Sequence, residues 1–355
     1  MTHIFFAALA LAAAAKPPPF SWRTVPVFAE TSNVTGPFDD TAVSVLTKFS
    51  VVVGEKAYDY PDPGFAEDKL AALAKQLRQL KPNIFLIFYY NANLDMDDYR
   101  LNALSKADAP HWWVRNSSGV PMVAPVDSGA GSRPPFPYAE NDLGGLHCWD
   151  FTNPAVREAW SQECLNVTSP AGGFDGCMLD RWTRNPFGNQ PGYTKDAIAA
   201  WHAGQNQSEA LLLEKAHAKG IWVVGEGNEV DAISDPGFFS SCKSDAGIHK
   251  QLRLVANGQG LLASYKPGAA GAAFTSTLAS FLIGAGERHY FGAGSWTCNH
   301  TSREGVTWHP EYDQPLGDPI GPAVQGEDGT WRRSFKLGTN VTVNNGVGHI
   351  DWADW

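Results

Sequence analysis

Two carboxylate residues stand where apolar runs of the sequence end. Asp180 follows the run FDGCML at residues 174–179, and Glu226 follows IWVVG at residues 221–225. Short apolar runs bounded by polar segments are typical of buried strands. If the two strands are neighbours, about 5 Å apart in one sheet, both carboxyl groups can face one pocket. A carboxylate that attacks or activates water, beside a carboxylic acid that donates a proton, is the pair needed to break a glycosidic bond.

The surroundings of this pair leave its role open. Arg181 and Arg184 follow Asp180 closely. An arginine can hold Asp180 in an ion pair that only stabilises the structure, or it can keep a nucleophilic carboxylate ionised. Glu226 has the same two interpretations. We predict that Asp180 and Glu226 are catalytic and that Arg181 contacts the substrate.

Other polar residues that follow strand-like runs are candidates to line the same pocket. Glu30 follows the first run and Glu55 the second, and the third run ends with Tyr89 and Asn91. We predict that Glu30, Tyr89 and Asn91 contact the substrate; a solvated or structural role is the alternative for Glu30 and for Glu55. Asp175 enters the fourth run at its opposite end, so we interpret it as a structural turn residue.

Many tryptophans lie outside the predicted strands and helices. Aromatic faces in clefts stack on the apolar faces of sugar rings, and they also pack ordinary loops. We predict stacking for Trp149, Trp182 and Trp296. Trp182 is the strongest of the three because it lies two positions after Asp180.

The order of predicted elements indicates the fold that positions these residues. Strands are predicted at residues 25–29, 49–53, 84–90, 174–179, 221–224, 261–265 and 289–291. Between them lie predicted helices: one with Leu70, Leu73, Leu77 and Leu80 on a single face, one that begins at Asn153-Pro154, a broken one at residues 194–219 with Ser208 as a second cap, and one at 272–283. A long functional loop is expected at residues 91–149.

Alternation of strand and helix implies a parallel sheet with right-handed crossovers. Six or seven such repeats in 355 residues, with long loops, favour a single (β/α)8 TIM barrel, followed by a β-hairpin at residues 331–344. Active sites of such barrels lie at the C-terminal ends of the strands, where Asp180 and Glu226 are predicted to lie.

Composition and motifs exclude several other classes of protein. The chain has 27 Lys and Arg against 37 Asp and Glu, a net charge of −10, which argues against binding to nucleic acid or anionic lipid. The G-x-G-x-x-G, G-x-S-x-G, H-E-x-x-H, P-loop and EF-hand patterns do not occur in the sequence. We therefore predict no cofactor and no bound metal. The oligomeric state does not follow from the sequence.

The N-terminal residues and six glycosylation motifs indicate the secretory pathway. Residues 4–15 are apolar and end in three alanines, which is typical of a signal peptide, with a buried N-terminal helix as the alternative. We assign residues 1–15 to this signal, 16–24 to a Pro-rich leader and 25–355 to the barrel. N-x-S/T motifs begin at Asn33, Asn116, Asn166, Asn206, Asn299 and Asn340. We expect a secreted or luminal protein without a stable membrane anchor.

The five cysteines allow at most two disulfides within the chain. Cys242 and Cys298 both lie in polar segments, so we predict that they pair. Cys177 lies in a predicted buried strand, where we expect a packed thiol.

Five short segments resemble a known group of glycosidase-like barrels. They are GFDGCMLDRW at 173–182, WDFTNPAVR at 149–157, and YDQPLGDP at 312–319 followed by RSFKLG at 333–338 and VTVN at 341–344. Together they are similar to families allied to endo-α-1,4-polygalactosaminidase, in order from about residue 25 to residue 344. The resemblance implies a (β/α)8 barrel that acts on carbohydrate. It matches Asp180 to the nucleophile of the fourth strand and Glu226 to the acid/base of the fifth.

The sequence is compatible with more than one function. The first is a secreted glycosidase that cleaves a poly- or oligosaccharide with Asp180 and Glu226. In a β-glycosidase-type barrel the nucleophile would instead lie on the seventh strand, where Glu287 is the candidate. A second hypothesis is a lectin-like barrel without catalysis, and a third is a metal-assisted hydrolase that adds a histidine to the two carboxylates.

Overall fold

Eight parallel strands close into a barrel, which confirms the predicted (β/α)8 fold. The computed structural model describes residues 15–59, 61–108, 111–123, 147–180, 187, 192–226, 230–242, 244–266, 268–293 and 306–353. The strands up to the end of the barrel are β1 (Val27–Thr31), β2 (Val51–Gly54), β3 (Phe85–Asn91), β4 (Leu94–Asp95), β5 (His147–Cys148), β6 (Gly176–Asp180), β7 (Trp222–Gly225), β8 (Ala232–Asp235), β9 (Gly260–Tyr265) and β10 (His289–Ala293). Around the barrel they run β1, β2, β3, β6, β7, β8, β9, β10, and β4 pairs with β5 outside it.

The helices surround the barrel in the usual alternation. They are α1 (Asp40–Leu46), α2 (Ala66–Leu80), α3 (Arg100–Asp108), α4 (Pro154–Val167), α5 (Lys195–His217), α6 (Phe238–Ser241), α7 (Ala246–Ala256) and α8 (Gly271–Gly284). On α2 three of the four predicted leucines are buried, whereas Leu80, in the last turn, is 61% exposed. Asn153 caps α4 as predicted, because its side chain accepts a hydrogen bond from the backbone N–H of Ala155 at 2.9 Å.

The structure corrects two predictions, one of a broken helix and one of a long loop. Helix α5 is unbroken: Thr194 caps its start, and Ser208 lies inside it, where the hydroxyl donates to the carbonyl of Gly204 at 3.1 Å. Back-bonding of this kind satisfies a serine in a helix interior, so Ser208 does not begin a second helix. The predicted loop at residues 91–149 contains helix α3 and the β4–β5 pair.

A four-stranded antiparallel sheet follows the barrel and packs on α8. Its strands are β11 (Val324–Gln325), β12 (Trp331–Ser334), β13 (Asn340–Asn344) and β14 (Val347–Asp351), in that order. The predicted hairpin is therefore confirmed as β12 and β13, with one further strand on each side. Arg333 donates to the carbonyls of Leu282 at 2.9 Å and Ala285 at 2.6 Å, so it satisfies acceptors at the C-terminus of α8.

The N-terminal end of the barrel is closed by residues that precede β1. Ala15 and Phe20 pack against the side chains inside the barrel. The Tyr290 hydroxyl lies 3.2 Å from the carbonyl oxygens of both Pro18 and Pro19, to which it donates. The folded unit therefore begins upstream of residue 25, and the Pro-rich segment forms part of it.

The cysteine pairing differs from the prediction. Cys164 on α4 and Cys177 on β6 form a disulfide, and Cys242 is a buried free thiol. The predicted Cys242–Cys298 bond is thus wrong, and Cys298 itself lies outside the described residues. Packing of α4 against β6 brings the two sulfurs together, which spacing along the chain does not reveal. The bond ties the strand that carries Asp180 to its neighbouring helix.

Candidate active site

Asp180 and Glu226 lie on neighbouring strands at one end of the barrel. Leu179 on β6 pairs in register with Gly225 on β7, so the next residue of each chain segment is one of the two carboxylates. Asp180 is 5% exposed, while Glu226 is partly exposed. The predicted adjacency at the C-terminal ends of two strands is therefore present in the structure.

The alternation of side chains along each strand explains why carboxyl groups gather at this end. The barrel interior is filled by apolar and aromatic residues, among them Phe28, Val53, Met178 and Val224. Because side chains two positions apart in a strand share a face, each of these is followed on the same face by an acidic residue. Those residues are Glu30, Glu55, Asp180 and Glu226.

Tyr89 holds the carboxylate of Asp180. The Tyr89 side chain lies inside the barrel on β3, next to β6, and its hydroxyl donates a hydrogen bond to Oδ2 of Asp180. The hydroxyl of Tyr99 donates to the backbone carbonyl of Tyr89 at 3.1 Å, which secures this part of β3. Burial, followed by the charge of Asp180, raises the pKa of Tyr89 well above its ordinary value, so the phenol stays protonated. Tyr89 thus contacts the predicted catalytic residue itself.

Lys56 brings positive charge into this acidic end of the barrel. Its Nζ lies 2.5 Å from Oε1 of Glu55 and 4.1 Å from the centroid of the Tyr89 ring. Both side chains of the ion pair are buried, and Oε2 of Glu55 also accepts from the N–H of Ala57 at 3.0 Å. Lys56 is not among the site residues predicted from the sequence. Its position directly after Glu55, at a strand end, was the available signal.

Glu30 is the most deeply buried acid of the group, with 2% exposure. Loss of solvation raises its pKa to about 8, and the nearby carboxylates of Glu55 and Asp180 add to the shift, which Lys56 partly opposes. At neutral pH Glu30 is therefore mainly a neutral carboxylic acid. Asp180 is thus near enough to Glu30 to affect its ionisation, and a contact of Glu30 with the substrate stays a prediction.

Two of the predicted substrate contacts, Asn91 and Trp149, are buried. Asn91 pairs in register with Asp180, but its Oδ1 accepts from the backbone N–H groups of Asn93 at 3.1 Å and Leu94 at 2.9 Å, which shapes the turn after β3. The indole of Trp149 is 2% exposed, within the hydrophobic core. Such burial leaves no face for a sugar, so the stacking prediction for Trp149 is not supported.

Three other predicted contacts, Arg181, Trp182 and Trp296, lie outside the described residues. The structural role predicted for Asp175 is borne out, since its Oδ2 accepts from Arg78 at 2.7 Å and from the N–H of Leu86 at 2.8 Å. Glu287 precedes β10, the eighth strand of the barrel, at the end opposite to Asp180. It therefore cannot supply the carboxylate of a β-glycosidase-type site.

The described part of the chain contains no candidate metal site. Within the described ranges, three or more His, Cys, Asp or Glu side chains nowhere converge in a way that could hold a metal ion. In the same part of the chain no helix is long and apolar enough to cross a membrane.

Comparison with known proteins agrees with a barrel that acts on carbohydrate. A sequence model for hypothetical glycosyl hydrolase family 15 matches residues 78–339, which is most of the chain. The protein belongs to this family. Its membership places the chain among the glycosidases. No curated protein matches the chain in sequence.

Several solved structures are similar to this chain at low sequence identity. The glycoside hydrolase domain of PelA from Pseudomonas aeruginosa covers 75% of this chain and 93% of its own, with 13% identity and a TM-score of 0.45. The cyclic α-maltosyl-(1→6)-maltose hydrolase from Arthrobacter globiformis covers 91% of both chains, with 13% identity and a TM-score of 0.48. The Nostoc punctiforme debranching enzyme covers 93% of this chain and 89% of its own, with 12% identity and a TM-score of 0.49.

Proposed function

We propose that this protein hydrolyses O-glycosidic bonds in a poly- or oligosaccharide, with Asp180 and Glu226 as its catalytic carboxylates. The observation that carries the proposal is their position in register, Asp180 as the last residue of β6 and Glu226 as the first residue after β7, at the C-terminal end of the barrel. Carboxylates on adjacent strands can address the two sides of one scissile bond. The family membership supports the same chemistry.

The surroundings of the two groups favour different roles. Asp180 is buried and its Oδ2 accepts a hydrogen bond from Tyr89, so its carboxyl group is held in one orientation, as a nucleophile requires. Glu226 is more exposed and lies one residue past its strand, where a leaving-group oxygen can reach it. We therefore assign Asp180 as the nucleophile and Glu226 as the acid that protonates the leaving oxygen and then activates water.

The assignment is tested by the release of reducing ends from a panel of polysaccharides. Asp180→Asn and Glu226→Gln should each abolish most of the turnover seen with the wild-type protein. Glu287→Gln is the matched control, because it removes an exposed carboxylate at the opposite end of the same barrel. Full activity in both site variants would refute the assignment. Binding of a glycan without turnover, unchanged in both variants, would favour the lectin-like alternative.

The stereochemistry of the product separates the two roles open to Asp180. A nucleophilic Asp180 gives retention of the anomeric configuration through a glycosyl-enzyme intermediate, whereas a general base gives inversion. Proton NMR of the freshly released sugar, before mutarotation, distinguishes these outcomes. Inversion would reassign Asp180 as the base that activates water.

We also propose that the protein is secreted. The Cys164–Cys177 disulfide is of a kind that persists in oxidising compartments. Three of the six glycosylation motifs begin at exposed residues of the described chain: Asn166, Asn206 and Asn340. Expression of the chain from its own Met1 in a eukaryotic host should give a glycosylated product in the medium, whose mass falls on enzymatic deglycosylation. Retention of an unglycosylated product inside the cell would contradict the proposal.

A further inference from the structure

Tyr89 contacts Asp180, although hydrolysis by two carboxyl groups does not itself require a tyrosine. Tyr89 lies on β3, and β3 pairs in register with β6. The phenol is almost fully buried, and its hydroxyl donates to Oδ2 of Asp180. A fixed donor on one carboxylate oxygen sets the rotation of the carboxyl group. The other oxygen is then presented in one orientation to a substrate.

The ring of Tyr89 is held from its other side by a cation. Nζ of Lys56 lies 4.1 Å from the ring centroid, within the range of a cation–π contact, which is strongest where solvent is excluded. The Lys56 side chain is 9% exposed and forms an ion pair with Glu55 at 2.5 Å. Lys56 therefore contacts the aromatic ring and offsets the negative charge of Glu55.

The adjacent residue provides an internal comparison. Tyr90 lies on the same strand and is equally buried, but it points out of the barrel into the layer of helices, where its ring stacks on Trp160 at 5.5 Å. Its hydroxyl has no hydrogen-bond partner in the part of the chain that the structure describes. The two tyrosines thus share strand, burial and chemistry, and differ in whether the hydroxyl meets Asp180.

We propose that Tyr89 is a positioning residue for Asp180 and that Lys56 holds Tyr89 in place. The proposal rests on the proposed function, since the orientation of Asp180 matters only if Asp180 reacts with the substrate. Tyr89 donates its hydrogen bond before and during the reaction and transfers no proton. Its contribution is to keep the carboxyl group of Asp180 in one orientation, because well-oriented groups react far faster than mobile ones.

The direct test is Tyr89→Phe, which removes one oxygen atom and keeps the ring over Lys56. On a polysaccharide that the wild-type protein hydrolyses, we expect kcat to fall about 10- to 100-fold, the effect of losing a hydrogen bond to a charged group, with KM within about twofold. The pH profile of kcat/KM should also differ from that of the wild-type protein, because the lost hydroxyl contacts the carboxyl group of Asp180 directly. A purely structural role would leave the profile unchanged.

The matched control is Tyr90→Phe, which removes an equally buried hydroxyl one residue away. We expect its kcat and pH profile to equal those of the wild-type protein. Lys56→Met keeps the length and the apolar stem but removes the charge, and should lower kcat by about threefold to tenfold. Lys56→Arg restores the charge and should recover part of that loss.

A second readout needs no substrate. The free energy of unfolding of the wild-type protein and of each tyrosine variant is measured between pH 3 and pH 7. If Tyr89 binds the ionised Asp180, the difference between wild type and Tyr89→Phe should grow with pH across the range in which carboxylates ionise. The difference for Tyr90→Phe should stay constant. A constant difference for both variants would overturn the proposal.

The outcomes separate this proposal from the proposed function. If Asp180→Asn is inactive while Tyr89→Phe keeps the wild-type kcat and pH profile, the positioning role is wrong and the catalytic assignment stands. If Asp180→Asn is fully active, the catalytic assignment fails, and the pH-dependent unfolding of Tyr89→Phe alone then decides whether the two side chains are coupled. Lys56→Met gives an independent measure should Tyr89→Phe not fold.

Discussion

Glu30 and Glu67 are two buried acids in different regions of the molecule, and each has its pKa raised to about 8, chiefly by burial. Glu30 lies inside the barrel, at the end where the strands terminate, with Asp180 and Glu55 among its neighbours. Glu67 lies on α2, outside the barrel, where Glu163 of α4 faces it. A raised pKa therefore does not by itself distinguish an active site from a structural contact.

Glu67 and Glu30 differ in the groups that surround their carboxyl groups. Glu67 accepts from the backbone N–H of Arg100 at 3.0 and 3.2 Å through its two oxygens, so it supplies an acceptor to the first turn of α3. The carboxyl group of Glu30 instead shares its surroundings with Asp180, Tyr89 and the Lys56–Glu55 pair at the end of the barrel interior. The contact of Glu67 joins α2 to α3, whereas the groups around Glu30 converge at the C-terminal end of the barrel interior.

The largest expected difference is in catalysis. Glu226→Gln should lower kcat about 100- to 10,000-fold, because it removes the proton donor and base. Glu67→Gln should leave kcat within about twofold, since Glu67 lies on α2, outside the barrel, and contacts neither Asp180 nor Glu226 through any hydrogen bond of the described residues. Initial rates on the same polysaccharide, with melting temperatures to show that both variants are folded, provide the measurement. A comparable loss of kcat in folded Glu67→Gln would remove the distinction drawn between the two regions.

The next effect is the pH dependence of stability caused by Glu30. Between its ordinary value of 4.5 and its folded value of about 8, Glu30 keeps a proton that the unfolded chain has lost. The free energy of unfolding should therefore decrease as pH rises through this window, by up to about 1.4 kcal/mol per pH unit, and level off above it. Glu30→Gln cannot titrate, so its stability should exceed that of the wild-type protein increasingly towards pH 8. Denaturant unfolding at pH 5, 6.5 and 8 checks this, and parallel curves would contradict it.

The smallest expected effect is the change that Glu67→Gln makes in the pH dependence of stability. Glu67→Gln should also flatten the pH dependence of stability, because its pKa is raised in the same direction. The gain at pH 8 should be less than for Glu30→Gln, since the amide keeps only one acceptor oxygen for the N–H of Arg100 and so loses about 1 kcal/mol of hydrogen bonding. The same denaturant titration measures it. A gain larger than that of Glu30→Gln would mean that the helical pair, and not the barrel end, is the more strained of the two sites.

Some features of the site follow from local sequence alone. An interior apolar residue lies two positions before each of Glu30, Asp180 and Glu226. The local sequence therefore encodes where these strands end and which of their residues face inward. Strand β8 escaped prediction because its four residues, Ala232–Asp235, include Ser and Asp and show no apolar run. The (β/α)8 class was still evident, since seven strands and their spacing were enough to indicate it.

Other features were decided only when distant segments packed together. The pairing of Cys164 with Cys177, the burial of Trp149 and the contact of Lys56 with Tyr89 each join residues whose proximity depends on how helices and strands pack. Sequence spacing carries little information about such contacts, because each is set by the three-dimensional register of elements and not by the residue's own neighbours along the chain. Local sequence thus determined which groups reach the barrel end, and tertiary packing decided that Tyr89 meets Asp180 there.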